Sequence, residues 1–310
     1  MEAGIDQIIG RNPDLVFAII GCFRPFAGPT AQKWEQIGDR LCFIDPFNLD
    51  SLNEVFFHTV PVQNFSSNNL AVFTAYQPAI TDADHFVHIA TGCSFHCSYC
   101  NIKISKGEVQ SRPANTILDD VEGLWNQGVR EVVLLGDDCG SYGLDIESSL
   151  ALLIRGLLDK HPELKVKIYN AHPTMFVKLW PQLREFFISG SISYLCLPLQ
   201  SGVPRILKMM GRHDDLDRIR ELLQEIRSCS PGTHLFSHFI LNFPTETLPD
   251  FEASMKFARQ FAACLFIPFG SNVRTEASKF EPQGTSEDLD IKRGIIADMI
   301  CRKEVAGLLL

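Results

Sequence analysis

The sequence contains no apolar run long enough to cross a membrane. The longest near its start, Leu15 to Phe23, falls far short of the roughly 18 residues that a spanning helix needs. It also lacks a basic leader: it opens Met1-Glu2-Ala3-Gly4-Ile5-Asp6, acidic where a secretory signal is positive. Both absences point to a soluble, cytoplasmic protein with no membrane partner. Positive charge is in deficit, with 28 Lys plus Arg against 37 Asp plus Glu and a net charge of −9. Phosphate neutralisation wants the opposite balance, so a large polyanion such as nucleic acid is disfavoured relative to a small-molecule substrate. Repeats and low-complexity segments are absent, and the 45% hydrophobic and 21% charged residues exclude a disordered or fibrous chain. A length of 310 residues suits one large domain or up to two ordinary ones.

What the chain does have is cysteine, at 22, 42, 93, 97, 100, 139, 196, 229, 264 and 301. A chain of this size without a secretory leader does not need disulfide staples, so metal or redox chemistry is the better reading of any cluster. Three of the ten are clustered, in Cys93-Ser94-Phe95-His96-Cys97-Ser98-Tyr99-Cys100.

The order of elements places that cluster. Leu15 to Ile20 and Leu41 to Asp45 read as buried strands, with helices predicted over 30–40 and from the Asp50-Ser51 cap through Phe57. Residues 60–84, with Pro61, Pro78 and a Ser/Asn run, read as a crossover between domains. From 85 onward strand and helix alternate every 30 to 40 residues, the pattern of βα units and a parallel sheet. The predicted strands are Phe86 to Thr91, Glu131 to Gly136, Lys165 to Asn170, Tyr194 to Leu199, Leu235 to Leu241 and Ala263 to Phe269. Helices are predicted at Leu118 to Gln127 and Ile146 to Lys160, among others. Six units make an α/β partial barrel, two short of the closed eight-stranded form, and chemistry in such sheets sits at the C-terminal strand ends.

The cysteine loop directly follows the first of these strands. Three thiolates spaced x3 and x2 can bind three irons of a cubane cluster and leave the fourth open, whereas electron-transfer clusters close every iron with four cysteines. A zinc site is the alternative, although neither His88 nor His96 gives a fourth ligand at zinc-finger spacing.

The Cys-x3-Cys-x2-Cys loop, with Tyr99 before its last cysteine, resembles that of radical S-adenosylmethionine enzymes. Later blocks resemble the methylthiotransferase family among them: Gly107 to Pro113, Leu134 to Asp138 with Ser141-Tyr142-Gly143, Pro198 to Gly202, Ile206 to Arg212, and Ile240 with Phe243-Pro244 and Glu246-Thr247. The resemblance covers residues 12 to about 280 and implies a partial (β/α)6 TIM-like barrel over 76–284, a small flavodoxin-like α/β remnant over 1–75 and a C-terminal helix over 285–310. It further implies that Cys93, Cys97 and Cys100 hold a 4Fe–4S cluster whose open iron binds S-adenosylmethionine. One electron from an external donor, of flavodoxin or ferredoxin type, then yields methionine and a hydrogen-abstracting 5′-deoxyadenosyl radical. By the same resemblance Phe95, Tyr99, Gly136, Asp137, Asp138, Asn170, His172, Gln200, Ser201 and Arg212 surround the cofactor, and Ile240 packs on adenine. Arg212 suits a carboxylate, since guanidinium binds one bidentately.

The departures from the family are as informative. Its members carry an N-terminal domain with three cysteines for an auxiliary 4Fe–4S cluster, whereas here only the stretch leading to the third, Cys22, is recognisable. Further auxiliary ligands are expected from Cys139, just past the second barrel strand, with Cys196 and Cys42 behind it, while Cys229, Cys264 and Cys301 read as structural. Asn242 and Thr245 stand where glycines are expected and are predicted to narrow the space near adenine. No segment resembling the family's C-terminal RNA-binding barrel is present, which adds to the charge argument against tRNA. The expected activity is sulfur insertion into a small molecule, for example a nucleoside of a secondary (antibiotic-type) pathway. Radical hydrogen transfer without sulfur, action on tRNA or protein, and a non-enzymatic docking subunit are the competing readings.

Overall fold

The computed structural model describes residues 84–309, apart from 272, 282 and 283, together with two short strands nearer the N-terminus. Those strands, Phe17–Ile20 (β1) and Leu41–Ile44 (β2), pair in parallel with Phe17 opposite Leu41. A parallel pair needs a crossover connection, in keeping with α/β architecture. Cys22, the helices predicted over 30–40 and 50–57, and the boundary predicted at 75 lie outside the described residues. By its contacts the chain divides into two units, Met1–Phe65 with Ile104–Lys106, and Ser66–Lys103 with Gly107–Leu310.

The larger unit is built on one sheet. Its six principal strands are β3 (His85–Thr91), β5 (Glu131–Gly136), β6 (Lys165–Tyr169), β7 (Ile192–Cys196), β8 (His234–Leu241) and β9 (Ala263–Pro268), each on an apolar run predicted as strand. They are parallel neighbours throughout. Two edge strands escape the sequence reading: β4 (Gln110–Ser111), antiparallel to β3, and β10 (Gly307–Leu309), parallel to β9. The order is β10-β9-β8-β7-β6-β5-β3-β4. The helices among the described residues are α1 (Ile102–Lys106), α2 (Ala114–Asn126), α3 (Leu150–Lys160), α4 (Pro173–Ile188), α5 (Pro204–Met209), α6 (Leu216–Cys229), α7 (Leu248–Ala258) and α8 (Ser286–Cys301). No helix among the described residues is long and apolar enough to cross a membrane.

Two boundaries differ from expectation for identifiable reasons. Helix α3 starts at Leu150 rather than Ile146 because the Ser149 side chain accepts from the Leu152 N–H and caps it there. Strand β7 ends at Cys196 rather than Leu199, since Pro198 has no N–H to continue the ladder. Pairing resumes as a single bridge, Gln200 opposite Phe239. The C-terminal segment is also more than a helix. After α8, opened by a Thr285/Asp288 capping box, β10 joins the main sheet.

Strand parity sorts the core into two layers, as a curved sheet requires. One layer packs sheet against helices, with Ile89, Leu134, Ile168 and Phe266 among its fully buried members. The other, made of Val133, Tyr169, Tyr194, Cys196, Phe236, Ala263 and Leu265, fills the concave side. At the N-terminal end of that inner face Lys167 pairs with Asp84 at 2.5 Å and Glu131 at 3.0 Å. The opposite, C-terminal end stays open.

Candidate active site

The cysteine loop leaves β3 through Gly92, at φ +79°, where a Cβ would lie 2.1 Å from the Glu108 carbonyl oxygen. Only glycine fits so close an approach in that conformation. The loop is then clamped from the far side of the barrel. The Ser98 N–H donates to the Met210 carbonyl and its hydroxyl to the Met209 carbonyl, both at 2.8 Å. The Ala277 N–H donates to the Ser98 carbonyl at 2.8 Å. Gly211, at φ +70°, leaves 2.7 Å between its would-be Cβ and the His96 carbonyl oxygen. The Met-Met-Gly-Arg block therefore has a mechanical role, seating the cysteine loop against the barrel rim.

Cys93, Cys97 and Cys100 line one cavity of about 160 Å³ at the C-terminal strand ends, together with Tyr99, Asp137, Asp138, Asn170, His172, Gln200 and Arg212. Burial is the main force raising the thiols. Cys93 is pushed up to about 12, with the Asp138 charge and the neighbouring thiols adding to it. Cys97 is also raised, by burial, with the Arg212 guanidinium opposing it. Loading a metal therefore displaces protons from these sulfurs. Among the described residues no three His, Cys, Asp or Glu side chains converge on one point, as a mononuclear zinc site demands. Three thiols spread around a cavity suit a cubane, whose ligands lie on separate irons.

The other walls hold buried polar atoms that make no hydrogen bond: Gln200 Oε1, Arg212 Nη2 and both ring nitrogens of His172, whose Nδ1 stands 3.7 Å from Asp214 Oδ1. Buried polar groups in native proteins are paired, so these imply a polar ligand. Arg212, 4% exposed, is held by Nε to Asp214 Oδ2 at 2.7 Å and by Nη1 to the Tyr99 hydroxyl at 3.2 Å, which leaves Nη2 to meet an anion. His172 is driven down to about 3 by burial and then by the Arg212 charge, against the pull of Asp214; it is neutral at physiological pH. Its ring stacks on Phe95, centroids 3.5 Å apart. Asn170 and Gln200 both have positive φ, 60° and 73°, a sparsely populated conformation that the surrounding hydrogen bonds enforce at the two strand ends.

Asp137 and Asp138 divide their work. Asp137 Oδ2 accepts from the Gly92 N–H at 2.8 Å and ties the root of the cysteine loop to β5. Asp138 caps the 3₁₀ turn Cys139–Ser141, its carboxylate accepting from the Gly140 and His172 N–H groups and the Ser141 hydroxyl.

Some expected residues stand off the cavity. Phe95 backs His172, and Gly136 is buried where β5 ends, against the Ala90 carbonyl. Ser201 is sealed with Ser254, their hydroxyls 3.2 Å apart, and Ile240 is buried and does not line the cavity, although it shares strand parity with His238. Asn242 and Thr245 do have the positive φ of glycine positions, 55° and 72°. Their side chains, however, bond to Lys292 and Thr285 and to Arg205 and Met209, and neither lines the cavity, so they do not narrow it.

Cys139 needs a larger correction. It is fully buried, donates its thiol to the Tyr169 carbonyl at 2.8 Å, and does not line the cavity. The Asp138-capped turn swings it into the core instead of toward the mouth. Cys196 does face the barrel interior, but it is sealed among Tyr194, Asn170 and His238. Replacing Cys139 by alanine is expected to leave iron content and cofactor cleavage unchanged and to cost about 1–2 kcal/mol of stability from lost packing. Iron assay and denaturant titration check this; loss of about four irons would restore it as a cluster ligand.

Sequence reasoning missed His238, which lines the cavity and is lowered to about 4 by burial. It shares strand parity with Phe236 of the inner layer, a face that becomes visible only in the structure.

Known proteins supply an independent view. The radical SAM superfamily model matches residues 87–258. A tRNA-2-methylthio-N(6)-dimethylallyladenosine synthase from Marinomonas is 30% identical over 91% of this chain and 64% of its own length. The same-named proteins of Alcanivorax borkumensis and Escherichia coli are 31% identical over 79% of this chain, and 56% and 53% of theirs. The chain thus spans just over half to about two thirds of these relatives. In fold it is similar to a radical S-adenosylmethionine methyltransferase from Kitasatospora setae, solved with cobalamin and a 4Fe–4S cluster (TM-score 0.51, 15% identity, 62% of this chain and 38% of that one). A cobalamin-dependent S-adenosylmethionine radical enzyme gives a TM-score of 0.52 at 12% identity, over 95% of this chain and 45% of that one. Superfamily members use a 4Fe–4S cluster and S-adenosylmethionine, and the three thiols and unpartnered polar atoms around one cavity fit both. The chain therefore belongs to the radical S-adenosylmethionine superfamily, and within it is similar in sequence to tRNA methylthiotransferases.

Proposed function

We propose that the protein inserts sulfur into a small nucleoside-like substrate, using a radical derived from S-adenosylmethionine. The observation that carries this reading is the single cavity shared by the three thiols and the unpartnered Gln200 and Arg212 atoms. The sulfur half is supported by the similarity to 2-methylthio synthases, which extends over 91% of the chain. When bound, the 4Fe–4S cluster supplies the electron that opens the sulfonium of S-adenosylmethionine. The chain's own residues bind and orient. Cys93, Cys97 and Cys100 hold three irons, and Arg212 Nη2 takes the amino-acid carboxylate. Gln200 Oε1 accepts from a ribose hydroxyl or the amine, and neutral His172 adds no charge that would compete for the carboxylate. Asp137 keeps the loop in register with β5. At the substrate one C–H bond would break, its hydrogen passing to the 5′-deoxyadenosyl radical to give 5′-deoxyadenosine, and one C–S bond would form as a sulfide joins the carbon radical and one electron passes to the auxiliary cluster. The sulfur would come from an auxiliary cluster with Cys22 among its ligands, and the electron from an external flavodoxin- or ferredoxin-type donor. The net charge of −9 favours a small substrate over tRNA, on which the similar enzymes are named as acting.

A second reading, hydrogen abstraction without sulfur, is favoured by one observation: the thiols of Cys139 and Cys196 are both sealed in the core. Product mass separates the two. Anaerobically reconstituted protein with S-adenosylmethionine, dithionite and a panel of adenine nucleosides, with unmodified tRNA as a parallel arm, is expected to give a sulfur-bearing nucleoside. The Cys22→Ala variant is expected to keep forming 5′-deoxyadenosine but to make no sulfurated product. Sulfur in tRNA alone would overturn the small substrate, and a product of unchanged sulfur content would favour the second reading.

A further inference from the structure

Three neighbouring strands meet beneath the cavity around one thiol. Cys196 ends β7, between Asn170, directly after β6, and His238, within β8. Its sulfur donates to Asn170 Oδ1 at 3.3 Å and lies 3.8 Å from His238 Nε2. The thiol has one proton, and Asn170 takes it. Nε2 therefore faces the sulfur as N–H, and Nδ1 is left as an acceptor. With Oδ1 of Asn170 engaged by the thiol, its Nδ2 is the matching donor. The His238 ring is held edge-on to Phe236, centroids 5.5 Å apart, and its carbonyl accepts from the Gln200 N–H at 2.7 Å. Asn170 and His238 both line the cavity, whereas Cys196 belongs to the inner layer that fills the barrel. The two are thus the floor of the cavity, and the cysteine loop, with Gly211 packed on it next to Arg212, is its rim. Neither floor residue carries charge, since burial lowers His238 to about 4.

We propose that Asn170 and His238 recognise the substrate, taking an uncharged heterocycle whose edge sets an exocyclic amine beside a ring nitrogen, as adenine does. The amine donates to His238 Nδ1, and the ring nitrogen accepts from Asn170 Nδ2. A few convergent polar groups on an otherwise apolar floor fix the orientation of such a ligand. The proposal rests on the nucleoside reading above and names the atoms that would enforce it. Asn170, expected among the cofactor contacts, is thereby assigned to the substrate, below the Arg212 end of the cavity where S-adenosylmethionine is anchored. Cys196 is a positioning residue: it touches no ligand and sets which nitrogen of each partner faces the cavity.

The test is equilibrium dialysis of the reconstituted full-length protein with adenosine or with purine riboside, which lacks only the amine. Saturating S-adenosylmethionine is present and no reductant, so that its own site is filled and nothing turns over. Wild type is expected to bind adenosine roughly tenfold tighter than purine riboside, because loss of the amine strands a buried acceptor. His238→Phe keeps a ring of similar size and should bring that ratio close to one. His238→Asn, whose Oδ1 falls near the place of Nδ1, should restore part of it. Asn170→Asp removes the other donor and should weaken both nucleosides while the ratio persists. A structural role would weaken both ligands alike in all three variants. Wild-type discrimination that survives in His238→Phe would overturn the proposal and leave the nucleoside reading intact. So would a loss of 5′-deoxyadenosine formation in His238→Phe as large as its loss of adenosine binding, since the floor would then hold S-adenosylmethionine. Loaded wild-type protein that binds neither nucleoside would overturn the nucleoside reading, and this proposal with it.

Discussion

Cys97→Ala is expected to abolish reductive cleavage of S-adenosylmethionine, with 5′-deoxyadenosine falling below detection in the presence of dithionite. The reason is geometric. Cys97 is the middle ligand of the loop, and its neighbour Ser98 is the residue by which Met209, Met210 and Ala277 fix that loop to the barrel. Removing its thiolate leaves one iron without a protein ligand while the cavity walls, including Gln200 and Arg212, stay in place. The iron count should fall by up to about four per chain, the content of one cubane. Alanine at this position opens no new contact, so circular dichroism should remain that of the native fold. A Cys97→Ala protein that still forms 5′-deoxyadenosine at the wild-type rate would show that the cleaving site lies elsewhere.

Lys292→Met is expected to produce the largest loss of stability, about 3–5 kcal/mol, because it strands one partner of a buried ion pair. Lys292 on α8 and Glu246 beyond β8 are 3% and 5% exposed, with Nζ 2.6 Å from Glu246 Oε2 and 2.7 Å from Asn242 Oδ1. Glu246 also accepts from the Asn242 N–H at 2.8 Å, so the lysine holds together a turn whose Asn242 and Thr245 both have positive φ. Burial, with a smaller contribution from the Asp250 charge, raises the Glu246 pKa, and Lys292 works against that rise. Without the lysine the carboxyl is driven toward its neutral form, so stability of the variant should be lost more steeply as pH rises through the raised folded pKa. Urea denaturation measures the loss. The double variant Glu246→Met/Lys292→Met should recover much of it, since two apolar groups leave no uncompensated charge. An equal or larger loss in the double variant would mean that the pair matters through packing and not through charge.

The strands were legible because each barrel strand is an apolar run of strand length bounded by breakers, and the cysteine loop because its spacing has few chemical uses. The candidate cavity also lies at the C-terminal ends of β3, β5, β6 and β7, the position that parallel sheets favour for a site. What stayed hidden depends on side-chain direction. Cys139 reads as a residue at the barrel mouth, yet the turn capped by Asp138 points its thiol at the Tyr169 carbonyl. His238 was hidden for a different reason: a histidine within a strand is as often packed core as site wall. Strand β10 is three residues of edge, too short for any periodicity to register. Asn242 and Thr245 were half legible. The glycine-like backbone was foreseeable from the surrounding motif, but the long-range partners that draw their side chains away from the cavity were not.

The central claim, that the cavity beside Cys93, Cys97 and Cys100 binds and cleaves S-adenosylmethionine, is tested most directly by a single measurement. Anaerobically reconstituted wild-type protein is incubated with S-adenosylmethionine and dithionite, and methionine and 5′-deoxyadenosine are quantified together. The two should appear in equal amounts, in step with the iron held at the three cysteines. Loaded protein that releases neither product, or releases methionine without 5′-deoxyadenosine, would contradict the account.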